Sequence, residues 1–282
     1  MLGIRRREFI TVVGGAAAAA SVLGTTAPHA QRAGKVWRIG FLASAQRPVS
    51  FESTAYDGFL QGMRELGHVE GRDFVMEWRF VEGRFELYPV LAAELVRAQV
   101  DIVVAGNSAA VRPMQQASSS IPIVLAVAND PVGLGLVASL AHPGGNVTGL
   151  ATSADDTTPK QLGLLAKAVP KLSRVGILSS PDNPNAAPVL RAAQAAARRL
   201  PTISSVREDV EAGMLMSYGE SYKEFNRRAA FYIDKIIRGA KPADLPVQQP
   251  TRFFLTINRR TADTLGLTMP LELLVQTDEV IE

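Results

Sequence analysis

Val100-Asp101-Ile102-Val103-Val104 is a short run of β-branched apolar residues with one carboxylate inside it. A run of this length without polar alternation has the pattern of a strand covered on both faces, as in a parallel sheet. Directly after it, Ala105-Gly106-Asn107-Ser108 leads into a helical pattern over 109–116. The same strand-then-helix alternation extends in both directions. Trp37-Arg38-Ile39-Gly40-Phe41-Leu42 reads as a strand, and Ser53 caps a helix with Tyr56, Phe59, Leu60, Met63 and Leu66 at helical spacing, closed by Gly67. A strand over 74–80, a helix over 87–96, a strand over 121–127 and a shorter one over 147–150 complete the series. Such alternation predicts an α/β fold with an open, doubly wound parallel sheet and right-handed crossovers.

A second series starts near Thr157, with a helix over 159–168, a strand over 174–178 and an Ala- and Arg-rich helix over 186–200. Leu200 then runs straight into Pro201-Thr202-Ile203-Ser204-Ser205, a strand pattern with no turn before it. A long amphipathic helix over 222–237 carries Phe225, Ala229, Tyr232 and Ile236 on one face and ends at Gly239. A strand over 253–257 and a short helix over 261–265 follow.

The 282 residues are 47% hydrophobic and 20% charged, enough apolar material for a sizeable core. Cysteine is absent, which excludes disulfides, thiolate metal sites and Cys nucleophiles. Lys and Arg number 30 against 27 Asp and Glu, a net charge of +3, and Arg5, Arg6 and Arg7 against Glu8 carry two of those three charges. The nearly neutral remainder offers no polyanion surface, so nucleic acid is not an expected partner.

Residues 1–30 read as an export signal. Arg6-Arg7-Glu8-Phe9-Ile10 has the twin-arginine pattern, with Arg6, Arg7 and Phe9 as its key residues; 11–23 is a weakly apolar stretch, and Ala30 is the expected cleavage point. The mature chain is expected in the periplasm.

In open α/β sheets, ligands bind beyond the carboxyl ends of the strands. Those ends here carry Ala43-Ser44-Ala45, Asn107-Ser108, Asn129-Asp130-Pro131 and, in the second series, Ser179-Ser180-Pro181-Asp182-Asn183. Small hydroxyls and amides hydrogen-bond a polar ligand without transforming it; the same residue types also serve as helix caps and turn residues. The candidate ligand-binding residues are Ser44, Ala45, Asn107, Ser108, Asn129, Asp130, Thr148, Asn183 and Tyr218. Tyr218 either meets a ligand or packs a hinge. Gly106-Asn107-Ser108-Ala109-Ala110 resembles a degraded nucleophile elbow, and Asp130 and His142 follow in the Ser, Asp, His order, but they come too soon after it and no second oxyanion motif is visible, so catalysis is not expected. Gly133-Leu134-Gly135-Leu136-Val137-Ala138 matches a dinucleotide fingerprint, displaced to the fourth strand. His68 and His142 read as loop residues without metal-ligand spacing. No catalytic residue, metal or cofactor is expected.

Several stretches together resemble one family: Asp57-Gly58-Phe59, Ala128-Asn129-Asp130-Pro131-Val132, Pro143-Gly144-Gly145-Asn146-Val147-Thr148-Gly149, Leu215-Met216-Ser217-Tyr218-Gly219, Gln249-Pro250-Thr251 and the ending Asp278-Glu279-Val280-Ile281-Glu282. The chain is similar over nearly its whole length to bacterial ABC-transporter substrate-binding proteins related to tryptophan/tyrosine-type uptake proteins. That resemblance implies a type I periplasmic-binding-protein fold, with two doubly wound lobes joined by hinge crossings, an amino-acid-like solute between them, and a membrane permease as partner. It implies lobe one at 31–148 plus about 220–247, and lobe two at about 149–219 plus about 248–282. Hinge crossings would fall at 146–156 and 214–219, and no DNA-binding helix-turn-helix is expected. Two departures carry expectations. Met214 stands where the family's Gly-Gly-Leu-Met-Ser-Tyr-Gly stretch has a glycine, so an altered hinge is expected. At Leu200–Pro201 relatives carry two further βα units, roughly 50–60 residues, so the second lobe is expected to be truncated. A degenerate paralogue that no longer binds solute is the alternative, and a Ser-dependent hydrolase is a distant third.

Overall fold

The alternating apolar pattern of Trp37-Arg38-Ile39-Gly40-Phe41-Leu42-Ala43 places Ile39, Phe41 and Ala43 on one face of a strand and Leu42 on the other, and both faces are buried. A computed structural model describes residues 35–52, 54–152, 154–169, 172, 175 and 201–282. The export signal expected over 1–30, Ser53, Asn183, the helix expected over 186–200 and nearly all of the strand expected over 174–178 lie outside the described residues.

The first lobe is built on β1 (Trp37–Ala43), β2 (Phe74–Phe80), β3 (Ile102–Ala105), β4 (Ile123–Leu125) and β5 (Val147–Gly149). They form one parallel sheet in the order β2-β1-β3-β4-β5. Helices α1 (Ala55–Glu65), α2 (Tyr88–Arg97) and α3 (Val111–Ala117) cross between them. α2 and α3 cover the face carrying Leu42, Val103, Ala105, Ile123 and Leu125. α1 covers the opposite face beside a helix from much later in the chain, α6 (Tyr222–Ile237), through Phe59, Met63, Phe225, Ala229, Tyr232 and Ile233. The apolar stripe of this late helix therefore belongs to the first core. Arg227 Nη1 to Glu65 Oε2 at 2.6 Å ties the two helices at their surface.

The second lobe comprises α4 (Ala154–Ala168), β6 (Ile203–Ser204), α5 (Arg207–Glu211), β7 (Met216–Gly219), β8 (Phe254–Asn258), α7 (Arg259–Thr264), α8 (Leu271–Leu274) and β9 (Glu279–Ile281). Among the described residues its sheet has four strands in the order β6-β7-β8-β9, with β7 and β8 antiparallel. β6 is only two residues long. Its core gathers Leu164, Leu165, Leu215, Met216, Leu255, Ile257 and Leu273.

Several expectations shift. α1 starts at Ala55, with Thr54 at its N-cap position and no side-chain cap bond. β4 is three residues, not seven, although Ala126 and Ala128 beyond it stay buried. α4 begins at Ala154, so Pro159 lies inside the helix rather than at its start. Met214 does not distort the hinge: it has an ordinary negative φ, and the left-handed position is Gly213, at φ +111°, where a glycine is present. His68, expected as a plain turn residue, has Nε2 2.9 Å from Asp234 Oδ1 and so pins the turn after α1 to α6.

Candidate functional site

β1, β3 and β4 run parallel, so their carboxyl ends emerge on one edge of the first lobe. Two hydrogen-bonded groups form there. In the first, Asn107 precedes the short 3-10 turn Ser108–Ala110 and its Oδ1 accepts from Ala110 N at 3.2 Å. Its Nδ2 donates to Tyr88 Oη at 2.9 Å. Tyr88 is 2% exposed, and burial pushes its pKa up to about 12, opposed by its hydrogen bonds with Asn107 and Ser44. Ser44, Tyr88 and Asn107 thus link the ends of β1 and β3 to the start of α2.

In the second group, Ser108 is 5% exposed; its Oγ donates to Asn129 O at 3.3 Å and accepts from Asn129 N at 3.0 Å. Asn129 forms a parallel bridge with Thr152, whose Oγ1 donates to Ala128 O at 3.2 Å. The loops after β3 and β4 and the first segment crossing to the second lobe are thereby held together. All of these side chains are neutral and none is suited to covalent chemistry as placed.

The structure brings Ser44, Asn107, Ser108 and Asn129 together and treats the other candidates differently. Asp130 is exposed at φ +42°, with Oδ1 accepting from Gly133 N at 2.8 Å, a turn-forming role at the rim. Ala45 is exposed beside Ser44. Thr148 is not a wall of the site: it lies within β5, is fully buried, and gives its hydroxyl to Leu245 O at 2.6 Å. Tyr218 stacks on Phe253, ring centroids 5.8 Å apart, and its carbonyl accepts from Gln161 Nε2 at 2.7 Å. Burial raises its pKa, helped by the charges of Asp278 and Glu220. Among the described residues no hydrogen bond or ring contact joins Tyr218 to the strand-end group.

Tyr88 and Thr152 complete the group without having been picked out from sequence. Tyr88 fits the buried stripe of a helix, and Thr152 sits in a crossing with no pattern of its own. Neither enzyme-like motif survives inspection. Both partners of the Ser108 hydroxyl are backbone atoms of Asn129, while His142 is exposed in a loop closed by Ser139. Gly133 to Ala138 is turn and bend, so the fingerprint glycines open no helix that a pyrophosphate could meet. Among the described residues no group of three or more His, Asp or Glu side chains is placed to hold a metal ion.

Among the described residues three segments run between the two sheets. The first, after Gly149, pairs with the third: Ala151 N donates to Gln248 O at 2.8 Å and Gln248 N to Gly149 O at 2.9 Å. The third is anchored on lobe one by Tyr232 Oη to Pro246 O and Arg228 Nη2 to Gln248 Oε1, both at 2.7 Å. The second follows β7 into α6, where Ser221 Oγ caps Glu224 N at 3.2 Å.

The sequence profile of a family described as ABC transporter substrate binding protein matches residues 48–199 and 190–281. A curated tyrosine-binding protein of Clostridioides difficile is 28% identical over 131 residues, 46% of this chain; the match spans only 37% of that relative's length. Among solved structures, an ABC domain in complex with L-Trp from Streptococcus pneumonia superposes at a TM-score of 0.77, with 22% identity over 87% of this chain and 100% of the other. A conserved domain protein from Vibrio cholerae gives the same TM-score, identity and coverage. The ligand-free, open structure of a substrate-binding protein with adhesive properties from Clostridium difficile gives 0.65, with 19% identity over 87% of this chain and 99% of the other. These structural likenesses are likenesses of fold.

Proposed function

The chain belongs to the ABC transporter substrate-binding protein family, and on that footing we propose that it captures a small, amino-acid-like solute between its lobes and delivers it to a membrane permease. The observation that carries this reading is the strand-end group of Ser44, Asn107, Ser108 and Asn129: neutral donors and acceptors at the edge where ligands of open α/β folds sit. In this reading Ala45 and Asp130 form the rim and Tyr218 serves the hinge through Phe253, while Asn183, outside the described residues, is a further candidate contact. The ligands named for the relatives, tyrosine and L-Trp, make aromatic amino acids the first solutes to try. The twin-arginine pattern at Arg6, Arg7 and Phe9, read with cleavage after Ala30, supports a periplasmic location for the mature protein. The protein holds its solute and does not transform it, since the Ser108 hydroxyl is occupied by the Asn129 backbone.

Isothermal titration of the purified chain with L-tyrosine, L-tryptophan and the branched amino acids is the test. Saturable binding, weakened by Asn107→Ala or Asn129→Ala, is expected. Binding that ignores both substitutions refutes the site.

One observation favours a second reading, a relative that no longer binds solute. The profile match breaks into two segments that overlap at 190–199, just before the Leu200–Pro201 join. Absence of binding by every amino acid, together with native mass spectra showing no retained small molecule, would establish this reading over the first.

A further inference from the structure

A cavity of about 520 Å³ opens between the second and third crossings and the first turns of α6. Its size is that of a small-molecule pocket, about 300–1,000 Å³. Glu220, Phe225, Arg228, Pro250, Arg252 and Phe254 are among its walls, and none of its lining residues belongs to the strand-end group.

The charges around it are unevenly matched. Glu224 is held by Arg227 through two bonds of 2.8 Å, and Arg238 by Asp234 at 2.8 Å. Arg228, on the same helix and half-buried, bonds only the neutral amide of Gln248; among the described residues no carboxylate pairs with it. Arg252 lies over the Phe254 ring, 4.5 Å from its centroid, and reaches Asp278 at 3.4 Å. A guanidinium that no carboxylate of the described residues pairs, at the wall of a cavity with aromatic sides, is complementary to an anion with an apolar body. Glu220, 8% exposed, and Glu224 on the same walls oppose a second anionic group.

We propose that this hinge cavity is a binding site for an amphipathic monocarboxylate, its carboxylate between Arg228 and Arg252 and its apolar body against Phe225, Pro250 and Phe254. Because two of the crossings supply its walls, an occupant ties them to one another and biases the opening between the lobes. The site is independent of the strand-end group.

The test is isothermal titration of the full chain with 3-phenylpropanoate, 2-phenylethylamine and phenylsuccinate. The monocarboxylate is expected to bind one to one, and the amine and the dicarboxylate not to saturate. Arg228→Gln is expected to weaken binding about tenfold or more, as for loss of a charge-assisted hydrogen bond, and the Asn107→Ala/Asn129→Ala pair to leave it unchanged. If Arg228→Gln does not fold, Arg252→Gln, at an exposed position, must still weaken binding about threefold. No saturable binding of 3-phenylpropanoate, equal binding of the amine, indifference to the arginine substitutions, or loss of binding in the asparagine pair would each overturn the proposal.

Discussion

Gly149→Ala is expected to destabilise the first lobe strongly. Gly149 ends β5, pairs with Leu125 in β4, and opens the first crossing at φ +129°, a backbone conformation that side chains rarely adopt. An added Cβ would fall on the Leu125 carbonyl oxygen and within 2.5 Å of the Leu125 nitrogen. Both are backbone atoms of the β4–β5 ladder and cannot swing aside. The backbone strain costs about 1–3 kcal/mol, and the collision about 1–3 kcal/mol more. For a chain of this size each kcal/mol lowers Tm by about 2–4 °C, so a drop of about 5–20 °C is expected. Circular dichroism melts of the purified chain measure it, with Gly163→Ala on α4 as the comparison. Gly163 is exposed, with open space around an added Cβ, and alanine there is expected to raise stability by up to about 1 kcal/mol. A Gly149→Ala protein melting within a degree or two of the parent would refute the argument for a close approach between β4 and β5.

Thr148→Val keeps shape but leaves the Leu245 carbonyl without its 2.6 Å donor, which should cost about 1–3 kcal/mol, read as a lower urea midpoint at unchanged slope; an unchanged midpoint contradicts it. Tyr56, Tyr88 and Tyr232 each have a folded pKa near 12, raised chiefly by burial, against about 10 unfolded. The unfolded chain releases these protons first, so stability is full below about pH 10 and falls as pH rises toward 12; melts that are flat across that window would show that the phenols are not buried. Arg6→Lys with Arg7→Lys should retain the precursor in the cytoplasm, and undiminished periplasmic accumulation by fractionation would remove the twin-arginine assignment.

The first lobe was readable because each of its elements carries its own signal. Ile102-Val103-Val104 is apolar on both sides and is buried on both. Signals failed where neighbours decide. Pro159 marks a helix start by rule, yet α4 begins five residues earlier, forgoing the bond that a proline nitrogen cannot donate. Leu215-Met216-Ser217-Tyr218 read as a crossing because four residues of weak alternation gain meaning only from antiparallel pairing with β8. His68 and Asp234 are 166 residues apart, and no local pattern announces their bond. At the candidate site, residue type and place beyond a strand end were legible in Ser44, Asn107, Ser108 and Asn129, which the structure brings together. Thr148 differs from them in a way that was also present in the sequence, since it lies inside its strand. A residue there faces a packed helix or loop rather than the open edge.

The bonds of the strand-end group run between residues 44 and 152, inside the first lobe and its exit. The proposed first half of the site is therefore held by hydrogen bonds of its own, none of which involves the join at Leu200–Pro201. Such preorganisation lowers the ordering cost of binding. It supplies no charge, however, because every side chain in the group is neutral. An amino-acid solute brings both an ammonium and a carboxylate, and leaving either desolvated without a partner costs several kcal/mol. Tight and selective capture of such a solute must then draw its charged contacts from the hinge or from lobe two. The solute-binding and non-binding readings thus differ only in what faces this intact first half, and a change confined to the second lobe is sufficient to convert one into the other.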